Sequence, residues 1–141
     1  MLGRKRHLVV DTGGLLLGVM VTPADVSDSA GAAQLVPEVL CRHGWLRHFW
    51  ADSGYGGPKL VDGLRELLPE RGVRIEVVKR AEGAKGFAVQ PRRWVIERTF
   101  GWLMQYRRLV RDYEMREVNS EAMIIIAMTK LMFKRLARRT F

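Results

Sequence analysis

Four short apolar runs, each followed by turn-forming residues, constrain the fold of this chain more than any other feature. The runs are HLVVD (7–11), LLLGVMVT (15–22), HFWAD (48–52) and RIEVVK (74–79). Their branched and aromatic residues favour β-strands. Thr12-Gly13-Gly14 leaves only a tight turn between the first two runs, which predicts an antiparallel hairpin.

Helical patterns separate and follow the later runs, so the later strands are predicted to be parallel. The predicted helices cover about 30–43, a segment opening at Pro58, a long segment from Pro91 to Leu109, and a last segment from Asn119 or Ser120 to about Arg138. The glycine-rich segment 81–86 is predicted to be a loop. The order β-β-α-β-α-β-α-α predicts a single α/β domain over residues 1–141.

The first helix carries the clearest end signals. Asp28 and Ser29 are candidate N-caps, and Gly44 is expected to end the helix. Pro37 predicts a kink or a late start, because proline removes a helical hydrogen bond.

The charge balance predicts a polyanionic partner. Lys and Arg number 24 against 15 Asp and Glu, giving a net charge of +9, and 18 of the basic residues are Arg. A guanidinium pairs with phosphate oxygens two at a time, so an arginine-led excess favours nucleic acid.

The single cysteine, Cys41, excludes an internal disulfide and a cysteine-based zinc cluster. No apolar run approaches the roughly 18 residues of a membrane span, and the charged start is unlike a secretory signal.

Two segments concentrate the basic residues. Residues 92–139 hold 12 Lys and Arg against five Asp and Glu, which favours phosphate contact over a solvated helical face. The second cluster, Gly3-Arg4-Lys5-Arg6-His7, is compatible with a DNA-backbone contact or with a solubilising strand edge.

Two apolar patterns lie in the same last third. The aromatic residues at helical spacing are predicted to be core rather than base-stacking residues; they are Trp94, Phe100, Trp102 and Tyr106. The segment from Met123 to Met128 is apolar all round, so it is expected to be buried or held by a partner.

Three acidic residues, Asp11, Asp52 and Glu97, are candidates for chemistry. Asp52 follows an apolar strand and precedes a glycine-rich turn, at the sheet edge where α/β proteins place ligands; the alternative is an Asx-turn or a helix cap. Glu97 lies within a helix four residues after Arg93, and its alternative is an exposed ion pair. Converging carboxylates would hold Mg²⁺ and support in-line displacement at phosphorus.

At these residues a family resemblance becomes specific. The stretches GRKRHLVVDTGGLLLGVMVTPADVSD, WADSGYGG and RRWVIERTFGWLMQYRRLVRDYE resemble the catalytic domain of bacterial insertion-sequence transposases with a DDE carboxylate triad, over about residues 4–134. The resemblance implies an RNase H-like fold, cleavage of DNA at element ends, and joining of the freed 3′-hydroxyl to target DNA with Mg²⁺ or Mn²⁺. It also implies a bacterial cytoplasmic protein associated with the nucleoid.

The resemblance assigns roles to individual residues. Asp52 matches the second carboxylate of the triad and Glu97 the third, both catalytic and metal-binding, so Asp52 and the helix of Glu97 are expected to face each other. Arg93 matches the basic partner of Glu97. The residues expected to contact DNA are Arg4, Lys5, Arg6, Arg93, Arg98, Arg107 and Arg108.

The chain also departs from the family pattern. The family's first catalytic Asp lies on a strand upstream of the GRKRH segment, and this chain begins just before that segment. The expectation is a transposase fragment that lacks a central strand, has two open sheet edges, binds metal weakly and is inactive alone, unless a complementing transposase chain supplies the Asp. Asp11 aligns with the end of the following strand and is expected to be a turn residue rather than a substitute.

Two other functions stay open at this point. One is a catalytically dead nucleic-acid-binding remnant, which metal affinity distinguishes from the transposase. The other is an RNase H-like nuclease that hydrolyses DNA without joining strands, which a strand-transfer assay distinguishes.

Overall fold

A computed structural model describes residues 3–78 and 91–139. The strands are β1 (Arg4–Val10), β2 (Leu16–Pro23), β3 (His48–Ala51) and β4 (Arg74–Val77). The helices are α1 (Asp28–Arg42), α2 (Pro58–Leu67), α3 (Pro91–Leu103), α4 (Arg107–Val110) and α5 (Glu117–Arg139), with short 3₁₀ turns at Ser53–Tyr55 and Pro69–Arg71. The predicted loop 81–86 lies outside the described residues.

The first two strands form the predicted antiparallel hairpin, with His7 opposite Met20. Gly14 adopts a φ of +82° in the turn, a left-handed conformation that glycine takes without strain. Asp11 Oδ1 accepts a hydrogen bond from Leu15 N at 2.8 Å, so Asp11 closes the turn. This is the turn role that the sequence predicted for Asp11.

The later strands are parallel, as predicted, with Trp50 opposite Glu76. They do not join the hairpin: residues 3–78 and 91–139 contain two separate two-stranded sheets, β1–β2 and β3–β4. Each sheet therefore has strand edges with no strand paired to them within the described residues.

Two apolar clusters cover the hairpin from opposite sides. The α1–α2 cluster is centred on Leu35, Val39 and Leu40 and packs against side chains of both sheets, such as Met20 and Ile75. The α5 cluster has as its buried residues Val21, Leu103, Leu109, Ile124, Ala127 and Met128. The arrangement is thus a mixed α/β fold in which the hairpin lies between α1 and α5.

The long helix predicted from Pro91 to Leu109 is wrong, because the chain leaves the helix after Leu103 and starts a new turn at Arg107. Tyr106 adopts an extended conformation between them. Leu103 and Leu109 are both buried in the α5 cluster, and the break brings both to that cluster.

Two helix starts also differ from the prediction. Ser27, rather than Asp28 or Ser29, caps α1 by accepting a hydrogen bond from Ala30 N, while the Asp28 carboxylate binds Lys5. The last helix begins at Glu117, before the predicted caps, because the Ser120 hydroxyl is buried and donates to Asp112. Helix α1 continues across Pro37.

The core prediction holds for part of the aromatic set. Trp94 is 48% exposed and is not a core residue, whereas Tyr106 packs against the α5 cluster. In the apolar segment of α5, Ile124 is fully buried but Ile125 and Ile126 remain 49% and 59% exposed. No helix in the described part of the chain is long and apolar enough to cross a membrane.

Candidate active site

Asp52 lies at the carboxyl end of β3, where its carboxylate caps the turn Ser53–Tyr55. Its Oδ1 accepts a hydrogen bond from Gly54 N at 2.9 Å, which is the Asx-turn role that the sequence left as an alternative. Asp52 is exposed. A capping role and a ligand role are compatible, because a carboxylate has two oxygens and the cap uses one.

Asp28, the first residue of α1, places a second carboxylate near Asp52. The position that a Cβ would occupy on Gly54 lies 2.6 Å from Asp28 Oδ2 and 3.3 Å from Asp52 Oδ1, so the two oxygens are at most 5.9 Å apart. Any side chain at position 54 would collide with Asp28, so the glycine permits this approach. Sequence reasoning considered Asp28 only as a helix cap.

A short polar network connects this carboxylate pair to the hairpin. Lys5 Nζ lies 3.2 Å from Asp28 Oδ1 and donates to the Val26 carbonyl at 2.9 Å. His7 is 2% exposed and lies between two hydroxyl groups, with Nδ1 3.2 Å from Tyr55 Oη and Nε2 2.9 Å from Thr22 Oγ1.

The electrostatics of the network follow from its burial. Burial lowers the pKa of His7 below 6.5, and the Asp28 carboxylate partly offsets this effect. Burial raises the pKa of Tyr55 to about 12, and the charges of Asp28 and Asp52 add to the rise. Tyr55 is therefore a neutral hydroxyl beside two carboxylates at neutral pH.

Glu97 lies on α3, half exposed, with its Oε1 3.9 Å from a guanidinium nitrogen of Arg93. This is the exposed ion pair that the sequence left as an alternative. The described residues contain no group of three His, Cys, Asp or Glu side chains placed to hold a metal ion, so Glu97 is not grouped with Asp28 and Asp52.

Helix α3 nevertheless lies across both sheets. Near its start, Arg92 donates to Glu76 on β4 at 3.1 Å and stacks over Trp50 of β3, with 4.7 Å from its Cζ to the ring centroid. Two turns later, Thr99 Oγ1 donates to the Gly14 carbonyl at 2.8 Å in the hairpin turn. Trp50 and its register partner Glu76 therefore share the face of the β3–β4 sheet that α3 approaches.

Four of the seven residues expected to contact DNA donate to backbone carbonyls within the chain. Arg4 binds the carbonyls of Glu114 and Met115 at 2.7 and 2.6 Å, and Arg6 binds the Leu109 carbonyl at 2.8 Å. Arg98 donates to Gly13 and stacks on Trp102, and Lys5 binds Asp28. Arg4 and Arg6 therefore join β1 to the segment after α4 and to α4 itself.

The remaining three residues are exposed. Arg93 is weakly paired with Glu97, and Arg108 lies 2.6 Å from Glu114. Arg107 is exposed at the start of α4.

The donor set fits a hard divalent cation in part. Carboxylate oxygens are the ligands that Mg²⁺ prefers, and an oxygen of Asp28 lies at most 5.9 Å from an oxygen of Asp52. Lys5 competes for Asp28, and a third protein carboxylate does not join the pair in the described structure. Two such residues hold one ion loosely and do not by themselves hold a pair of ions.

Comparison with known proteins gives a consistent picture. Residues 2–132 match the family model described as "Transposase DDE domain". A Burkholderia cepacia protein named "Putative transposase for insertion sequence element IS402" is 31% identical over 121 residues, which cover 81% of this chain and 55% of that protein. The chain thus spans about half the length of the curated relative it matches. No solved structure matches the chain.

Proposed function

The chain belongs to the transposase DDE domain family, and we propose that it acts in DNA transposition as part of the catalytic domain of an insertion-sequence transposase. The proposal treats residues 1–141 as one domain whose substrate is DNA at element ends and in the target. The observation that carries it is the approach of Asp28 to Asp52 at the carboxyl end of β3, within the match to the family model.

The proposed reaction has two displacements at phosphorus. Water attacks a phosphodiester at the element end, the bond from phosphorus to the 3′ oxygen breaks, and that oxygen takes a proton to become a 3′-hydroxyl. The hydroxyl then attacks a target phosphodiester, which forms one P–O bond and releases a target 3′ oxygen that takes the proton. Bound Mg²⁺ or Mn²⁺ would supply activation of the attacking oxygen and stabilisation of the leaving oxygen.

In this proposal Asp52 and Asp28 would hold the ion, and Glu97 would complete the site if α3 moved its carboxylate to the same rim. Asp52 keeps its orientation through the hydrogen bond to Gly54 N. Tyr55, neutral and hydrogen-bonded to His7, stabilises the turn that follows Asp52. Breaking the weak pair with Arg93 would free Glu97 at little cost, because an exposed ion pair contributes about 0–1 kcal/mol.

The two separate sheets support an RNase H-like arrangement that needs one further strand. Gly3 O accepts from Ala24 N, so by alternation the backbone groups of Arg4, Arg6 and Leu8 face away from β2. A groove of about 520 Å³ lies beside residues 4–7, with Tyr55 and Phe100 among its other lining residues. We propose that an extended strand occupies this groove and joins β1 to β3, and that it carries the first family Asp.

For DNA contact we propose the exposed basic residues of α3 and α4, Arg93, Arg107 and Arg108. They rank ahead of Arg4, Lys5, Arg6 and Arg98, which are less exposed and donate to backbone carbonyls within the chain. A protein of this activity would lie on the bacterial nucleoid in the cytoplasm, and a second transposase chain is one source of the proposed strand.

The test compares metal binding and DNA cleavage. Binding of Mn²⁺, followed by electron paramagnetic resonance, should be weak in this chain and should be lost in Asp52→Asn and in Asp28→Asn. Asp62→Asn, which removes an exposed carboxylate on α2, is the matched control and should bind as the unaltered chain does.

Cleavage of a transposon-end duplex with Mg²⁺ or Mn²⁺ should be absent for this chain alone. It should appear in a version extended by the family strand that carries the first Asp, and Asp52→Asn should abolish it. Robust cleavage by the unextended chain that disappears in Asp11→Ala would overturn the assignment and make Asp11 the third ligand.

A catalytically dead nucleic-acid-binding remnant is the second candidate, favoured by the two-carboxylate donor set. It predicts DNA binding with no Mn²⁺ binding and no cleavage even in the extended version. An RNase H-like nuclease would cleave in the extended version but would not join a 3′-hydroxyl to target DNA.

A further inference from the structure

The outer face of the β3–β4 sheet combines an exposed indole with cationic groups beside Asp52. His48 and Trp50 on β3 and Arg74 and Glu76 on β4 alternate with inward residues such as Phe49, so the four side chains share the outer face. Trp50 is 41% exposed, although Phe49 beside it on β3 packs against the α1–α2 cluster. An exposed tryptophan in this position has no role in the core.

Arg92 and His48 fix the orientation of this indole. The Arg92 guanidinium lies 4.7 Å from the centre of the Trp50 ring, and the His48 ring stacks on Trp50 with 4.7 Å between centroids and an interplanar angle of 29°. A cation held over an indole limits its rotamers, so the ring is ordered before any ligand arrives.

Glu76 occupies the place that an anion would take between Arg92 and His48. Its Oε1 accepts from Arg92 at 3.1 Å, and its Oε2 lies 3.1 Å from His48 Nε2. The second approach lacks hydrogen-bond geometry, and the buried His48 Nε2 has no hydrogen-bond partner within residues 3–78 and 91–139. A phosphate has oxygens that accept from the same two donors, so it fits the place that Glu76 occupies.

We propose that this Trp50 face (His48, Trp50, Arg74, Glu76 and Arg92) binds the DNA strand that enters the site at Asp52. Trp50 stacks on an unpaired base, and Arg92 and Arg74 reach the adjacent phosphates while Glu76 swings away. Trp50 and Asp52 are two residues apart, roughly 6.6 Å along a strand, which is about two base steps of 3.4 Å. The stacked base therefore lies within about two nucleotides of the phosphodiester at Asp52. The inference rests on the proposed function and names a subsite of the same site.

The experiment measures affinity for two DNA probes, a fully paired duplex and the same duplex with a short unpaired overhang. The unaltered chain should prefer the overhang. Trp50→Ala should weaken overhang binding roughly 5- to 150-fold, the range for loss of one base–aromatic stack, with little change for the paired duplex. Trp50→Phe, which keeps a ring, should retain most of the preference. The matched control is Trp45→Ala, which removes a tryptophan that is 66% exposed on the loop before β3 and should change neither affinity.

A gain-of-affinity variant keeps the test independent of folding defects. Glu76→Gln should tighten binding and steepen the dependence of log affinity on log salt by roughly 0.7 to 0.9, the contribution of one added phosphate contact. Glu66→Gln, an exposed position on α2, should do neither.

Equal effects of Trp50→Ala and Trp45→Ala on the overhang probe would overturn the inference, as would a Glu76→Gln affinity no different from that of Glu66→Gln. If Trp50→Ala does not fold, the DNA affinities of Trp50→Phe and Glu76→Gln test the inference instead. DNA binding that persists without any of these effects would leave the proposed function standing, whereas absence of DNA binding by the unaltered chain at low salt would remove the proposed function itself.

Discussion

At the scale of the residue, Gly31 controls how closely α1 approaches β1. A Cβ at this position would lie 2.6 Å from both Cε1 and Nε2 of the buried His7 ring. Gly31→Ala should therefore destabilise the fold by about 1–2 kcal/mol, because the clash exceeds the gain in helix propensity. Denaturant unfolding measures the change.

The control for this prediction is Gly63→Ala on α2, where a Cβ meets no atom within 4 Å. It should raise the free energy of unfolding by roughly 0.5–1 kcal/mol through helix propensity alone. Equal effects of the two alanines would show that α1 does not pack on His7 as described.

His7 also predicts a dependence of stability on pH. Its pKa is lowered below 6.5 in the folded protein, so below pH 6.5 the unfolded chain binds more protons than the folded chain. The free energy of unfolding should therefore fall as pH decreases from 6.5 through the folded pKa. Urea unfolding between about pH 5 and 7.5 should show this fall in the unaltered chain and a shallower one in His7→Gln. A profile unchanged by the substitution would contradict the described burial of the ring.

At the scale of the element, Arg4 joins β1 to the segment between α4 and α5. Its guanidinium binds two carbonyls and lies 3.3 Å from Asp112 Oδ2, with 19% of the side chain exposed. Arg4→Ala should lower the free energy of unfolding by about 1–3 kcal/mol, since it leaves carbonyls and a carboxylate without their donor.

Arg107→Ala is the counterpart, because Arg107 is exposed on α4. It should leave stability within about 0.5 kcal/mol and weaken DNA binding, whereas Arg4→Ala should leave the DNA affinity of the remaining folded protein unchanged. The reverse pattern would restore the DNA-contact role that the sequence suggested for Arg4.

The secondary-structure elements could be predicted where the local residue pattern determines them. They were harder to predict where tertiary contacts determine the start or end of an element. The hairpin, the parallel later strands and the turn role of Asp11 follow from short-range residue patterns. The helix break after Leu103 could not be predicted in this way. The helical residue pattern continues without interruption to Leu109 and does not show which side chains pack into the α5 cluster.

The same limit explains the site. Asp52 could be predicted from its strand and turn, but the approach of Asp28 depends on how α1 packs over Gly54, a contact 26 residues apart in sequence. The internal partners of Arg4 and Arg6 are likewise long-range, so a basic run looked available for DNA although its side chains bind backbone carbonyls of the last third.

At the scale of the whole molecule, the net charge of +9 predicts DNA binding dominated by phosphate contacts. Log affinity should fall linearly with log salt, by about 0.9 for each phosphate neutralised on a duplex. Fluorescence anisotropy with a labelled duplex between about 50 and 200 mM salt measures the slope. Affinity independent of salt would contradict the prediction, and an unrelated duplex of equal length should bind similarly.

The residues of the two apolar clusters are synthesised at different times during translation. The α1–α2 cluster draws on residues from Val9 to Ile75, so all of its members are synthesised before α5 begins at Glu117. The α5 cluster brings Val21 together with Ile124 and Met128. The Val21 amide donates a hydrogen bond to the Glu121 carboxylate, which is synthesised 100 residues later. At a synthesis rate of about 5–20 residues per second, the face of the hairpin that α5 later covers stays exposed for several seconds in each round of translation. During that interval the nascent hairpin offers valine and leucine side chains to chaperones and to neighbouring nascent chains.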